Sequence, residues 1–179
     1  MRRVYTALLR DEIRKANEMN KTGITGWGWY IPTYRLDRGA MSSAFRMNSG
    51  RGSRSVAAYD EDSMTMGIET ARRTLRADST IKNLIFSTTH SPVLDKGNAS
   101  TMSAVLDLPA GAAAYDLGGS IRSAFGALRF GLSQGDNSLV VLSDMRFGRP
   151  GSDDEINGGD GAASFTFGKN PAVEVVDIL

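Results

Sequence analysis

The chain has 179 residues, of which 41% are hydrophobic and 23% charged, so it is long enough for one domain with its own core and is not expected to be disordered. Its 21 basic and 20 acidic residues leave a formal net charge of +1, which gives no general attraction to nucleic acids or acidic membranes. The sequence has no cysteine and no run of 18 apolar residues, which excludes disulfides, thiolate metal sites, a cysteine nucleophile and a transmembrane helix.

The first 22 residues are predicted to form a helical extension, followed by a domain over residues 23–179. Tyr5, Leu9 and Ile13 recur at helical spacing and form one apolar stripe, suited to docking on the core or on a partner. A targeting peptide fits poorly, because the segment carries acidic residues that are atypical of transit peptides and its apolar run is too short for a secretory signal. We therefore expect a cytoplasmic protein.

From residue 23 onward, strand and helix patterns alternate. Residues 37–58 are rich in Gly, Ser, Arg and Met without periodicity and are interpreted as a long loop with a short helix near 41–47. The predicted strands cover residues 24–30, 84–86, 112–115, 139–142 and 162–167, the predicted helices 60–75, 99–106 and 120–132, and a further strand begins near residue 172. The order β-α-β-α-β-α-β-β predicts an α/β fold: a mostly parallel five-stranded sheet with helices on its faces and right-handed crossovers.

Candidate binding residues lie where ligands usually bind such sheets, at the carboxyl ends of the strands. His90, the only histidine, could act as a base or make structural hydrogen bonds, and one histidine cannot form a metal site, so no metal is expected. Gly118, Gly119 and Ser120 open the third helix. Their amides could stabilise an oxyanion with Ser120 as nucleophile, or the glycines could permit a tight turn with Ser120 as the helix cap.

Two further loop segments are weaker candidates for a phosphate-binding site. Arg35 and the arginines that follow it at positions 38, 51 and 54 could contact a phosphorylated ligand or could belong to a solvated loop. The glycine-rich stretch 158–161 lacks the Lys-Ser/Thr of a phosphate-binding loop and is interpreted as a turn into the next strand.

Five segments in order resemble the 3-hydroxy-3-methylglutaryl-CoA (HMG-CoA) synthase branch of the thiolase superfamily, which is related to ketoacyl-ACP synthase III. They are residues 23–32 (GITGWGWYIP), 60–66 (DEDSMTM), 114–123 (AYDLGGSIRS), 143–146 (SDMR) and 159–163 (GDGAA). This resemblance implies a subunit built from two similar halves stacked in five layers, of which the chain resembles the N-terminal half only. The single β-α-β-α-β-α-β-β unit agrees with one such half.

The same resemblance implies how catalytic positions are occupied. The family acylates a cysteine at the N-terminus of the third helix, and alignment on Asp116 and on Arg122-Ser123 places that cysteine at Ile121, which cannot be acylated. The family's histidine and asparagine lie in the C-terminal half. Glu61 matches the glutamate used as general acid/base, although an acidic residue also simply favours the start of a helix.

Three functional hypotheses follow from the resemblance. The first is a non-catalytic or half-site subunit of a thiolase-like complex that condenses or cleaves acyl-CoA, inactive alone and without a covalently bound cofactor. It would bind a coenzyme A thioester through a site that includes Gly118, Gly119, Ser120, His90 and Arg35. Its protein partner would be a second thiolase-like half, another copy of the chain, or an OB-fold/zinc-ribbon protein.

The second hypothesis is an active acyl-CoA lyase or acyltransferase in which Glu61, His90 or Ser120 replaces the cysteine. The third is an acyl-CoA-binding scaffold. No hypothesis requires nucleic acid or a membrane.

Overall fold

The computed structural model describes residues 22–46, 48–75, 80–135 and 137–176. The predicted N-terminal helix lies outside these residues, and Thr22 already belongs to the first strand. The strands are β1 (Thr22–Tyr30), β2 (Tyr34–Asp37), β3 (Ser53–Val56), β4 (Asn83–Thr88), β5 (Ala113–Gly118), β6 (Ser138–Asp144), β7 (Gly161–Lys169) and β8 (Val173–Glu174). The helices are α1 (Arg38–Phe45), α2 (Ser63–Thr74), α3 (Asn98–Val105), α4 (Arg122–Ser133) and α5 (Asp153–Asn157).

Six strands form one sheet in the order β5-β4-β6-β7-β1-β8. Strand β4 is parallel to both of its neighbours, whereas β7 is antiparallel to β6 and β1, and β8 is antiparallel to β1. Four of the six strands therefore run in the same direction. This confirms the predicted mostly parallel α/β fold, and the short β8 is the further strand predicted near residue 172, which makes the sheet six-stranded.

The loop predicted for residues 37–58 is wrong at Asp37 and at residues 53–56, which belong to strands. Strands β2 and β3 pair antiparallel as a separate two-stranded sheet that encloses α1, which corresponds to the predicted short helix. The Asp37 side chain accepts a hydrogen bond from the Ala40 backbone N–H at 2.8 Å and caps α1. Each strand has only four residues and most of them are partly or fully exposed, so neither carries the alternating apolar pattern that predicts a strand.

Helices cover both faces of the large sheet. Helices α2 and α3 pack on one face through a buried cluster that includes Ile68, Met102 and Phe86. Helix α4 packs on the other face, where Ala127 joins Val140 in a second cluster. Among the described residues, no helix has the length and apolarity needed to cross a lipid bilayer.

Helix α2 begins at Ser63, three residues after its predicted start, so the acidic residues precede the helix and Asp62 is its N-cap. The Asp62 side chain accepts a hydrogen bond from the Thr65 backbone N–H at 2.7 Å, and the Thr65 hydroxyl accepts one from the Asp62 N–H at 2.7 Å. This reciprocal pair is a capping box, which satisfies two backbone donors that the first helical turn would otherwise leave unpaired. It fixes the segment that carries Glu61 at the carboxyl end of the sheet.

Candidate functional site

The turn between β5 and α4 presents Ile121 at the start of the helix. Gly119 adopts a φ of +85°, which favours glycine because a β-carbon would be strained there. Ser120 Oγ accepts a hydrogen bond from the Arg122 N–H at 3.2 Å, and the Ser123 hydroxyl donates one to the Gly118 carbonyl at 2.9 Å. Both serine hydroxyls therefore hold the turn, and 67% of Ile121 remains exposed.

Ile121 lines an open cleft of about 430 Å³ at the carboxyl end of β6. The cleft contains one cationic side chain, that of Arg146, whose Nη2 donates to Asp154 Oδ1. The other lining residues are Asp144, Asp153, Asn157, Gly158 and Gly159. The first N–H groups of α4 are already bonded within the turn, since those of Ser123 and Ala124 donate to the carbonyls of Ser120 and Ile121. One guanidinium and several carboxylates thus lie around Ile121.

His90 is connected to this cleft through Thr89. Its Nδ1 lies 2.9 Å from Thr89 Oγ1, and the same hydroxyl donates to Asp144 Oδ1 at 2.8 Å. The Thr89 backbone N–H also donates to Asp144 Oδ1 at 2.6 Å, and the exposed imidazole meets Phe147 edge to face with ring centres 5.8 Å apart. The Asp144 carboxylate therefore orients the 89–90 segment, while His90 itself is not among the residues that line the cleft.

Asp160 organises the wall of the cleft from beneath. This buried carboxylate accepts hydrogen bonds from the backbone N–H groups of Ala57 and Arg146, both at 2.8 Å. Arg54 Nη1 lies 3.8 Å from Asp160 Oδ1, and Ser55 Oγ donates to the Asp160 carbonyl at 2.6 Å. Sequence reasoning did not single out Asp144, Arg146 or Asp160 as site residues, although all three lie inside segments that carry the family resemblance.

Glu61 lines a different cavity, of about 310 Å³, beside α2. Its Oε1 accepts a hydrogen bond from the Tyr30 hydroxyl, and its Oε2 accepts one from the Ala58 N–H at 2.6 Å. The hydrogen bond to Glu61 raises the pKa of Tyr30 above the ordinary value of a tyrosine, because only the protonated hydroxyl can donate it; the nearby Glu61 charge acts in the same direction. Both carboxylate oxygens of Glu61 are thus engaged, and the cleft at Ile121 is not lined by Glu61.

Arg35 makes its contacts within its own turn. Its Nη1 donates to the carbonyl oxygens of Pro32 and Tyr34, the latter at 2.8 Å. It is exposed and does not line either cavity described above. In the part of the chain that the structure describes, no cluster of three His, Asp or Glu side chains is arranged to hold a metal ion.

No protein-family model matches the chain. Its sequence is similar to curated HMG-CoA synthases. The chain is 28% identical over 172 residues to the HMG-CoA synthase of Aeropyrum pernix and 27% identical over 161 residues to that of Pyrococcus furiosus. The two matches cover 88% and 84% of this chain but 48% and 46% of the relatives. The chain therefore spans about half the length of the curated relatives it matches.

Solved structures show the same fold. An HMG-CoA synthase complexed with CoA superposes with a TM-score of 0.77 at 21% identity, over 84% of this chain and 42% of the other. The 3-oxoacyl-(acyl carrier protein) synthase III of Pseudomonas aeruginosa superposes with a TM-score of 0.73 at 20% identity, over 88% and 54%. The chain is a thiolase-like N-terminal half. Ile121, to which the resemblance assigns the nucleophile position, lies at the start of α4 in this fold.

Proposed function

We propose that this thiolase-like half is the half-site subunit of an HMG-CoA-synthase-like acyl-CoA complex, binding a CoA thioester without forming a covalent intermediate. The observation that carries the proposal is Ile121. It stands at the N-terminal end of α4, where the helix dipole would stabilise a thiolate, and its side chain has no atom that can attack a thioester. We further propose that the complex works in the cytoplasm.

The side chains that could substitute for a cysteine have other roles in this geometry. The Ser120 and Ser123 hydroxyls hold the turn before α4, and Glu61 is bonded through both oxygens in a separate cavity. His90 lies two hydrogen bonds from the cleft, through Thr89 and Asp144. A serine nucleophile needs a base within hydrogen-bonding distance, and neither serine has one. These contacts favour a half-site over substituted chemistry.

The class of ligand is supported by the cleft and by the structural neighbours. Arg146 supplies a positive charge and hydrogen-bond donors near Ile121 for a ligand oxygen. An HMG-CoA synthase of the same fold has been solved with CoA bound. Because the curated relatives are about twice as long, we infer that a complete site also needs a partner surface.

Because the chain has no cysteine, a single introduced cysteine is its only thiol, and the test of this function relies on that. Ile121→Cys gives a chain with a single thiol at the start of α4, and Leu94→Cys gives a matched control with a single thiol at a site that is 92% exposed. Each protein is incubated with acetyl-CoA and its intact mass is measured. Acetylation would form a protein thioester and release CoA as a free thiol.

We expect acetyl-CoA to bind the unmodified chain in calorimetry without adding an acetyl group to it. We expect Ile121→Cys to gain one acetyl group, and Leu94→Cys to remain unmodified under the same conditions. Acetylation of the unmodified chain would contradict the non-covalent half-site. Absence of acetyl-CoA binding would contradict the proposal as a whole.

A further inference from the structure

Two tryptophans on β1 are left uncovered on the α4 side of the sheet by the part of the chain that the structure describes. Trp27 is 51% exposed and Trp29 is 62% exposed. A β-carbon on Gly28 would lie 2.5 Å from Thr74 Oγ1 of α2, so Gly28 faces α2. Because side chains alternate along a strand, Trp27 and Trp29 face the opposite side, where α4 packs. Together they expose on the order of 250 Å² of mostly apolar surface.

The two tryptophans lie about one helix width from α4. Trp27 pairs with Phe165 of β7, which pairs with Val140 of β6. Val140 is fully buried in the cluster that contains Ala127 of α4. Two strand spacings separate Trp27 from Val140, about 10 Å in all, and packed helices lie about 8–10 Å apart. One helix beside α4 would therefore lie over both tryptophans.

The segment that precedes β1 has the sequence pattern of such a helix. In residues 1–21, which lie outside the described residues, Tyr5, Leu9 and Ile13 recur at helical spacing and form one apolar stripe. An amphipathic helix of this kind gains most of its stability from packing its apolar side on another surface. The stripe therefore needs an apolar surface within reach of the segment.

The segment is long enough to reach the tryptophans. At about 3.3 Å per residue, β1 extends about 23 Å from Thr22 to Trp29. At about 1.5 Å per residue, a helix over residues 4–17 spans about 21 Å, and residues 18–21 remain for the turn into β1. The segment can therefore run back along β1 over both tryptophans.

The topology fixes how such a helix would lie against α4. Strand β1 is parallel to β6, because both are antiparallel to β7. Helix α4 connects the parallel strands β5 and β6 and therefore runs antiparallel to β6 and to β1. A helix that enters β1 through a short turn also runs antiparallel to β1, and hence parallel to α4. A right-handed β5-α4-β6 connection then turns Leu8 and Glu12 of the segment toward α4.

Glu12 requires a cation on the surface that the segment covers. It is three residues after Leu9 and four after Leu8, so it lies between them on the surface of the helix. A carboxylate held on a packed apolar side is costly unless a charge or a hydrogen bond compensates it. Helix α4 contains Arg122 and Arg129 and no acidic residue, and both arginines are exposed. The charges of the segment and of α4 are thus complementary.

Arg129 is the arginine of α4 that lies near the level of Trp27. It precedes Gly131 by two residues, and a β-carbon on Gly131 would overlap Val140, the residue two strands away from Trp27 at the same level. The Arg129 guanidinium lies over the Phe125 ring, 5.9 Å from its centre, on the exposed side of the helix. A carboxylate beside α4 at this level can pair with it.

We propose that residues 1–21 fold back as an amphipathic helix that covers Trp27 and Trp29, with Glu12 paired to Arg129 of α4. The stripe packs on the tryptophans, and the carboxylate within the stripe meets an arginine that no acidic residue of α4 neutralises. The contact forms within one chain. It requires neither a ligand nor a partner, so the proposal does not depend on the proposed function.

The test uses the two tryptophans as reporters in the full chain. Trp27 and Trp29 are the only tryptophans, so the tryptophan emission comes from the covered surface alone. Acrylamide quenching measures their accessibility, and sedimentation equilibrium measures the mass in the same samples. We expect shielded tryptophans in a monomer. Deletion of residues 2–21 should raise the quenching constant and shift the emission to longer wavelength, with circular dichroism reporting whether the shortened chain folds.

A matched pair of variants in the full chain tests the stripe without a deletion. Leu9→Asp places a charge at the centre of the stripe and should raise the quenching constant to that of the shortened chain. Ala7→Asp places the same charge two residues away, on the opposite side of the helix, and should leave the quenching constant unchanged. This pair decides the question even if the shortened chain does not fold.

A charge exchange tests the position beside α4. Glu12→Arg brings two like charges together and should raise the quenching constant. Adding Arg129→Glu to the same chain restores opposite charges and should restore the shielding. The coupling between the two changes is measured as in a double-mutant cycle.

Four outcomes would overturn the proposal. Freely quenched tryptophans in the full chain would refute it, as would equal quenching of Leu9→Asp and Ala7→Asp. Shielding that appears only as a dimer forms would assign the tryptophans to a second copy instead. A double variant as accessible as Glu12→Arg alone would show that the segment does not lie beside Arg129.

Discussion

Gly131 allows α4 to lie close to the sheet, and its replacement by alanine tests that packing. A β-carbon at this position would overlap Val140 Cγ2 and lie 3.3 Å from two ring carbons of Phe167, where ordinary carbon contacts begin near 3.5 Å. Val140 is fully buried on the central strand β6, and its β-branched side chain has little rotamer freedom with which to move aside. Helix α4 must therefore shift away from the sheet.

The expected magnitude is the difference between two opposing effects. Inserting a methyl group into a packed core costs about 1–3 kcal/mol, whereas glycine to alanine in a helix gains about 1 kcal/mol. We expect Gly131→Ala to lower the free energy of unfolding by up to about 2 kcal/mol. Gly126→Ala, in the same helix, is the matched control, because its new β-carbon would be 4.0 Å from the nearest atom, Leu117 Cδ2. It should stabilise the chain by up to about 1 kcal/mol.

Urea denaturation followed by circular dichroism measures both variants. Combining Gly131→Ala with Val140→Ala removes the overlapping methyl group, so the double variant should lose less stability than the sum of the two single variants. If Gly131→Ala proves as stable as Gly126→Ala, or if the two single losses simply add, the close approach of α4 to β6 does not limit the packing.

The remaining predictions concern the candidate site. The thiol of Ile121→Cys should have a pKa below about 8.5, and the thiol of Leu94→Cys should have a pKa near about 8.5. The pH dependence of iodoacetamide alkylation measures both values. Equal pKa values would show that the helix N-terminus does not activate the thiol. Asp160→Ala should lower the free energy of unfolding by about 3–5 kcal/mol in urea, because it leaves buried partners uncompensated, and a loss under about 1 kcal/mol would contradict that role. The hydrogen bond to Glu61 raises the pKa of Tyr30, so its stabilisation is complete below about pH 10 and is lost as pH rises through the folded-state pKa. Tyr30→Phe should abolish that alkaline loss, and an unchanged profile would refute the assignment.

Sequence patterns predicted the elements whose own residues determine them. The apolar run of β6 required a strand covered on both faces, and four of its seven residues are fully buried in that way. Asp62 at the predicted acidic start of α2 became its N-cap. Local propensity and burial act on the same residues in these elements, so reading the chain alone was sufficient.

The elements that the sequence missed depend on distant parts of the chain. Strands β2 and β3 are held by each other and by Asp160, whose carboxylate reaches the Ala57 N–H across 103 residues of chain. Helix α5 has five residues and begins with the Ser152 cap, too short to produce a helical period. Their stability comes from contacts that no local pattern encodes.

The features of the candidate site likewise divide into those that the sequence determined and those that only the tertiary structure showed. The sequence by itself determined that the chain has no thiol and that isoleucine occupies the position at the start of α4, because residue identity and motif order are read directly along the chain. Only the tertiary structure showed that Glu61 and Ile121 line separate cavities, that Thr89 connects His90 to Asp144, and that Trp27 and Trp29 face the uncovered side of the sheet. The last of these depends on the register shift between Ile24 and Gly26 in β1, since one extra residue in a strand moves every following side chain to the other face.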